Sequence, residues 1–249
     1  MTYTTAALVG VTGGAGTTRT TLEAAVALAV DGADVAVLDA AYATQGLGDY
    51  LAGRLDPDLT ALVTDRAEMP LSTGLIDLDL DLDAAVDGRV ACCPVDAPFE
   101  RLARAKSAEA AQRFETRIEE AAAAFDHVFV DVPPIAANQA VAAVTTCERV
   151  GLVAPAGDRG ADATARTQER LADLGTAADL LVSTGGADES GFAGVELPTT
   201  EAAFPGCLAD ERYGRAVVSL VGELVDRDVV GVGEATGLLG NVNGLLRRE

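Results

Sequence analysis

Val11-Thr12-Gly13-Gly14-Ala15-Gly16-Thr17-Thr18 starts on the last residue of the run Thr4-Thr5-Ala6-Ala7-Leu8-Val9-Gly10-Val11, which reads as a buried strand, and precedes a segment with Leu22, Ala25, Val26, Ala29 and Val30 at helical spacing. Gly32 stands where that helix should end, and Asp34-Val35-Ala36-Val37-Leu38-Asp39 reads as a second apolar strand closed by an acid. Strand, glycine-rich turn, helix and strand form a βαβ unit. Its two strands must run parallel, and its helix must cover one face of the sheet.

The rhythm continues outward from this unit. Strands are expected over 89–95, 127–132, 149–154, 179–183 and 193–197, and helices over 99–124 (one or two), 137–146, 159–174 and 211–226. The fold class is therefore α/β, a doubly wound and mostly parallel sheet flanked by helices. Residues 1–226 form one domain and 227–249 a C-terminal tail. Residues 75–83, Leu-Ile-Asp-Leu-Asp-Leu-Asp-Leu-Asp, alternate strictly and predict a half-exposed edge strand. Its aspartates would discourage pairing with other chains, and a cation site on that face is the rival reading.

Composition removes several function classes. There are 39 acidic against 18 basic residues, a net charge of -21, and Lys106 is the single lysine. No basic stretch exists to hold nucleic acid. An acidic surface with almost no lysine suits a halophilic, cytoplasmic protein whose self-repulsion is screened by high salt. No secretory leader or spanning run of apolar residues is apparent. Cys92, Cys93, Cys147 and Cys207 and the single His127 lack metal-ligand spacing, so buried reduced thiols are expected.

The glycine-rich turn has the outline of a phosphate-binding loop, in which backbone amides cradle phosphates and a lysine before the final Ser/Thr reaches the β- and γ-phosphates. Here that place is Thr17. Together with Val37-Leu38-Asp39 and Phe125-Asp126-His127-Val128-Phe129-Val130-Asp131-Val132-Pro133-Pro134, the turn resembles the MinD/ParA family of P-loop ATPases over most of residues 4–226. The resemblance implies ATP at the carboxyl ends of the strands and a nucleotide-dependent dimer that positions other components. It assigns Gly13, Gly14, Ala15, Gly16, Thr17 and Thr18 to the phosphates, and Thr18, Asp39 and Asp131 to magnesium. It also marks losses: Thr12 and Thr17 replace the family's two lysines, Ala41 replaces the second acid after the strand, and Ser183-Thr184 stand where many members have Asn-Arg.

Loss of a cation aimed at transition-state charge costs about 3 kcal/mol or more. Amides and a helix N-terminus still favour an anion by about 0.3–2 kcal/mol each. Hydrolysis should therefore suffer far more than binding. Arg19 lies about 200° further round the helix than Thr17 and should point elsewhere. Arg54 and Arg159 are the remaining candidates for a displaced cation.

The expectation is a catalytically degenerate relative, a pseudo-ATPase with no catalytic residue, acting as a binding, positioning or regulatory module with a protein partner (itself or a MinD/ParA-like relative). No cofactor is expected, and ATP and magnesium enter only if the loop still binds. Two alternatives stay open: an active ATPase with displaced catalytic residues that forms ATP-dependent dimers, and a purely structural interaction protein that keeps a homodimer through the former sandwich face or the tail, its glycines and acids serving only the fold. In the tail, Leu238, Leu239, Val242, Leu245 and Leu246 share a helical face, but Gly237, Gly240 and Gly244 oppose helix formation. With only Arg247 and Arg248 to attract lipid, membrane contact through 234–249 is not favoured.

Overall fold

The computed structural model describes residues 4–80, 88–186, 193–227 and 229. Its strands are β1 (Thr4–Gly10), β2 (Asp34–Asp39), β3 (Ile76–Asp77), β4 (Arg89–Cys93), β5 (His127–Val132), β6 (Arg149–Pro155), β7 (Leu180–Thr184) and β8 (Val195–Leu197). They form one sheet in the order β3-β4-β2-β5-β1-β6-β7-β8. Every pairing is parallel except β3 with β4.

The helices are α1 (Thr17–Val30), α2 (Leu59–Val63), α3 (Phe99–Ala105), α4 (Ala108–Ala122), α5 (Asn138–Thr146), α6 (Asp158–Asp173), α7 (Gly206–Ala209) and α8 (Glu211–Val225). Because the strands are apolar on both sides, each face needs a cover. Ala7, Val9, Ala36 and Leu38 pack beneath α2, α4, α5 and α6. Ala6, Leu8, Val35 and Val37 pack beneath α1, α7 and α8. All four cysteines are buried and reduced.

α1 ends as the sequence suggests. Gly32 adopts φ 90°, its amide donates to Ala29 O, and the Ala33 amide donates to Leu28 O. The expected helical span 99–124 divides at Lys106–Ser107, where Ser107 Oγ accepts from the Ala110 amide and starts α4.

The alternating tract needs correction. Among its described residues, 75–80, Ile76 and Asp77 are in a strand, antiparallel to β4 at the edge of the sheet. The two-sided pattern continues locally, with Leu78 buried and Asp77 and Asp79 exposed. Residues 81–83 and the tail 234–249 lie outside the described residues. Among the described residues no helix is long and apolar enough to cross a membrane, and no three His, Cys, Asp or Glu side chains converge as a metal cluster.

Candidate functional site

β1 is central, with β5 on one side and β6 on the other, so the loop after it opens at the point where the strand order diverges. Ligands of open α/β sheets sit there, outside the carboxyl ends of the strands. Gly14 and Gly16 adopt φ 76° and 81°, left-handed values that L side chains rarely take, and they turn the chain into α1. Gly16 is the N-cap of α1, and no side chain caps that helix. Beyond the turn at Gly13-Gly14, the backbone amides of residues 16–19 donate no hydrogen bond among the described residues. Unpaired amides converging at a helix N-terminus form an anion-binding concavity.

Thr17 occupies the lysine's place and folds back over the end of β1. A Cβ added to Gly10 would lie 2.5 Å from Thr17 Oγ1. Thr18 turns the other way and donates from Oγ1 to Asp131 Oδ2 at 2.6 Å. Asp131, next to last in β5, is in register with Asp39 at the end of β2. Both acids are buried. Asp39 accepts from the Ala41 amide at 2.8 Å through Oδ1 and from the Val95 amide at 3.2 Å through Oδ2.

Burial pushes the Asp39 carboxyl well above the usual range, and the facing charge of Asp131 pushes it further. Asp131 is raised by burial and held back by the Thr18 hydroxyl. The site is thus an oxygen-lined pair of acids that resists holding two negative charges. A divalent cation would reverse that tension. One hydroxyl and two carboxylates suit a hard ion such as magnesium, with Thr18, Asp39 and Asp131 as its holders. When bound, it would neutralise phosphate charge beside the loop.

Among the described residues, no hydrogen bond or ion pair brings a basic side chain to the loop or to the two acids. Arg19 points away, as helical geometry requires: Nε meets Glu23 Oε1 at 3.2 Å, Nη2 donates to Ala202 O at 2.9 Å, and the guanidinium lies 5.8 Å from the Tyr213 ring centroid. Arg54 pairs with Asp56. Lys106 caps α3, at the far side of the chain from α1 in sequence, and is exposed. Arg159, in the first turn of α6, is exposed and has no hydrogen bond or ion pair among the described residues.

Several supporting contacts escape sequence reading. Thr184 Oγ1 donates to Ala15 O at 2.9 Å and to Ala154 O at 3.3 Å, tying β7 to the loop and β6. The successive amides of Val95, Asp96 and Ala97 are held by Asp39, Asp58 and Gln45 respectively. Gln45 adopts φ 54°, and a Cβ on the adjacent Gly46 would lie 3.7 Å from Thr18 Oγ1. The segment after β2 therefore lies against the Thr18 hydroxyl. Only Asp58 carried a sequence signal, as an acid at a helix start; contacts over such sequence distances leave no local pattern.

No protein-family model and no curated protein matches the sequence. Solved structures do match in three dimensions. The cell-division ATPase MinD of Pyrococcus furiosus is 17% identical, with 88% of this chain and 98% of that one covered and a TM-score of 0.65. The chain has the MinD/ParA fold. Apo McdA of Cyanothece is 17% identical over 94% of this chain and 99% of its own, with a TM-score of 0.63. Cobyrinic acid a,c-diamide synthase of Mycobacterium smegmatis, bound to an ATP analogue and magnesium, is 16% identical over 93% and 99%, with a TM-score of 0.67. A cell-division ATPase and a synthase share this architecture, so the MinD/ParA fold alone does not choose a function.

Proposed function

We propose that the chain is a MinD/ParA-type pseudo-ATPase, a binding or positioning module that acts through protein contacts. The observation that carries this reading is the mismatch within one site. Thr18, Asp131 and Asp39 keep the arrangement that suits magnesium, while Thr17, Thr12 and Ala41 supply neither cation nor acid. Phosphoryl transfer relies almost wholly on positioning and charge stabilisation, so a site without cationic side chains loses the chemistry before it loses the cradle. The fitting partner is a protein, either a second copy or a MinD/ParA-type relative with its lysines intact. Nucleic acid is opposed by the net charge of -21.

Magnesium-dependent ATP turnover by the pure chain in molar KCl tests the reading. Turnover indistinguishable from buffer is expected. Turnover abolished by Asp131→Ala sinks it.

One observation favours a rival. Arg159 is exposed, and among the described residues unpaired, just beyond β6, the neighbour of β1. An active ATPase using Arg159 as a displaced cation would lose its turnover in Arg159→Ala and would dimerise with ATP but not with ADP.

A further inference from the structure

α3 is held to the molecule by one face. Arg101 donates from Nε to Thr60 Oγ1 at 3.0 Å and from Nη2 to Asp96 O at 3.1 Å, and Nη2 also lies 3.0 Å from Asp58 Oδ1. Leu102 packs against the core, and Ala105 is buried in it. The start of the helix is fixed through the amides of Asp96 and Ala97, held by Asp58 and Gln45. The opposite face carries Phe99, Ala103 and Lys106, all exposed. Their spacing of i, i+4 and i+7 puts them on one stripe of the helix.

The two ends of that stripe differ in chemistry. Phe99 is the one large apolar side chain left exposed among the described residues, at 85%. Lys106 is the single lysine, and among the described residues its ammonium has no hydrogen bond or ion pair. The charges around it are paired, Arg104 with Glu100 and Asp65, and Arg113 with Glu109.

We propose that this stripe is a homodimer interface, in which α3 packs antiparallel to α3 of a second copy about a two-fold axis at Ala103. In such an interface residue i of one copy meets residue j of the other, and j meets i. Antiparallel packing about Ala103 sets Phe99 against the second copy's Lys106, twice. An ammonium within about 6 Å of a ring centroid is attracted by the ring face, and the lysine stem covers the ring edge. The small side chain of Ala103 lets the two backbones approach at the axis. Parallel packing would set ammonium against ammonium and lose both contacts. The stripe carries both halves of the contact, so a second copy supplies each end with its partner. Two chains of net charge -21 repel each other, so the dimer strengthens with salt. The stripe is small beside the roughly 1,200 Å² of a standard interface, so the dimer is weak, with a dissociation constant on the order of 100 μM. It uses no residue of the glycine-rich loop and needs no nucleotide. Of the two partners named above, it selects the second copy.

Sedimentation equilibrium of the full chain tests this in molar KCl with EDTA and no nucleotide, up to about 500 μM. A monomer–dimer equilibrium is expected. Phe99→Ala should raise its dissociation constant about a hundredfold, tenfold for each of the two rings. Lys106→Glu should weaken it in the same direction, whereas Lys106→Arg and Phe99→Trp should keep it. These side chains are exposed, so the monomer does not need them to fold.

Ala103→Cys checks the axis directly. Its thiol meets the same thiol of the second copy, and copper phenanthroline, by accepting two electrons while two protons leave, joins them as a disulfide. The four native thiols are buried. A linked dimer should form from Ala103→Cys and not from Ala165→Cys, at an exposed position of α6. A chain that stays monomeric, a dimer that Phe99→Ala leaves unchanged, a dimer that appears only with ATP, or cross-linking no greater at position 103 than at 165 overturns the interface. None of these outcomes touches the pseudo-ATPase reading, which is decided by turnover and would keep a MinD/ParA-type relative as its partner.

Discussion

Asp39 concentrates the conflict of this site in one side chain. It is fully buried, faces Asp131, and still accepts two backbone amides. Its carboxyl is pushed up to about 8 from an ordinary 3.8, first by burial and then by Asp131. A raised folded value means that the folded chain binds this proton more tightly than the unfolded chain. The stabilisation is complete below about pH 4 and is lost as pH climbs through the folded value, with a slope of at most about 1.4 kcal/mol per pH unit. Urea unfolding at a series of pH values should therefore show stability relative to Asp39→Asn falling between pH 4 and 8. The slope is the test, because Asn also forfeits one amide acceptor. A flat difference across that window would mean that Asp39 is ionised throughout. Thr17 supports a second expectation. Thr17→Lys adds a charged donor at the loop, and charge-assisted hydrogen bonds are worth about 1.5–3 kcal/mol. Affinity for Mg-ATP by calorimetry should rise about tenfold or more. Turnover should stay absent, because Ala41 still offers no acid. If hydrolysis returned with the lysine alone, the missing acid would not matter.

At the scale of elements, α1 is anchored at both ends of its role. Its N-terminus faces the loop, and its middle carries Glu23, which is 0% exposed. Glu23 accepts the amides of Gly206 and Cys207 at 2.8 Å each and pairs with Arg19. That network fixes α7, and with it the turn into α8, against the helix that forms the loop. Glu23→Ala would strand two buried amides, each costing about 1–3 kcal/mol when left unsatisfied, and would free the partly exposed Arg19. Thermal unfolding should register this as a large drop in midpoint, and Glu23→Gln should recover part of it. A loss no larger than that of a surface substitution would remove Glu23 from the architecture. The sequence made the elements legible but not this joint. β2 and β5 were read to their residues, because a doubly buried strand is a continuous apolar run. α2, α7 and the turn around Gly46–Tyr50 were missed, since each is too short to show a period. The glycine-rich turn after β1 and the acids near the ends of β2 and β5 show as a pattern because a local motif carries them. Thr184, Gln45 and Glu23 act on backbone groups far away in sequence, and no spacing rule announces such bonds.

For the whole molecule the deciding quantity is charge. A net of -21 on 249 residues repels itself, and many ion pairs that offset it locally are exposed, such as Arg104 with Asp65 and Arg89 with Asp34. Exposed pairs contribute about 0–1 kcal/mol each and weaken in salt. Self-repulsion also weakens in salt, and it is summed over the whole surface. The Debye length shrinks from about 10 Å at 0.1 M to about 3 Å at 1 M, less than the spacing of most surface acids. The two effects oppose each other, and the global one should win because the acids outnumber the bases by 39 to 18. Calorimetric unfolding in 0.1, 0.5, 1 and 2 M KCl should show the midpoint rising throughout, most steeply below 1 M. Screening alone would level off beyond that, so a rise continuing to 2 M would require specific hydration or ion binding at the acidic surface. A midpoint that falls with salt would mean that the arginine pairs matter more than the excess of carboxylates, and the acidic surface would then need another explanation.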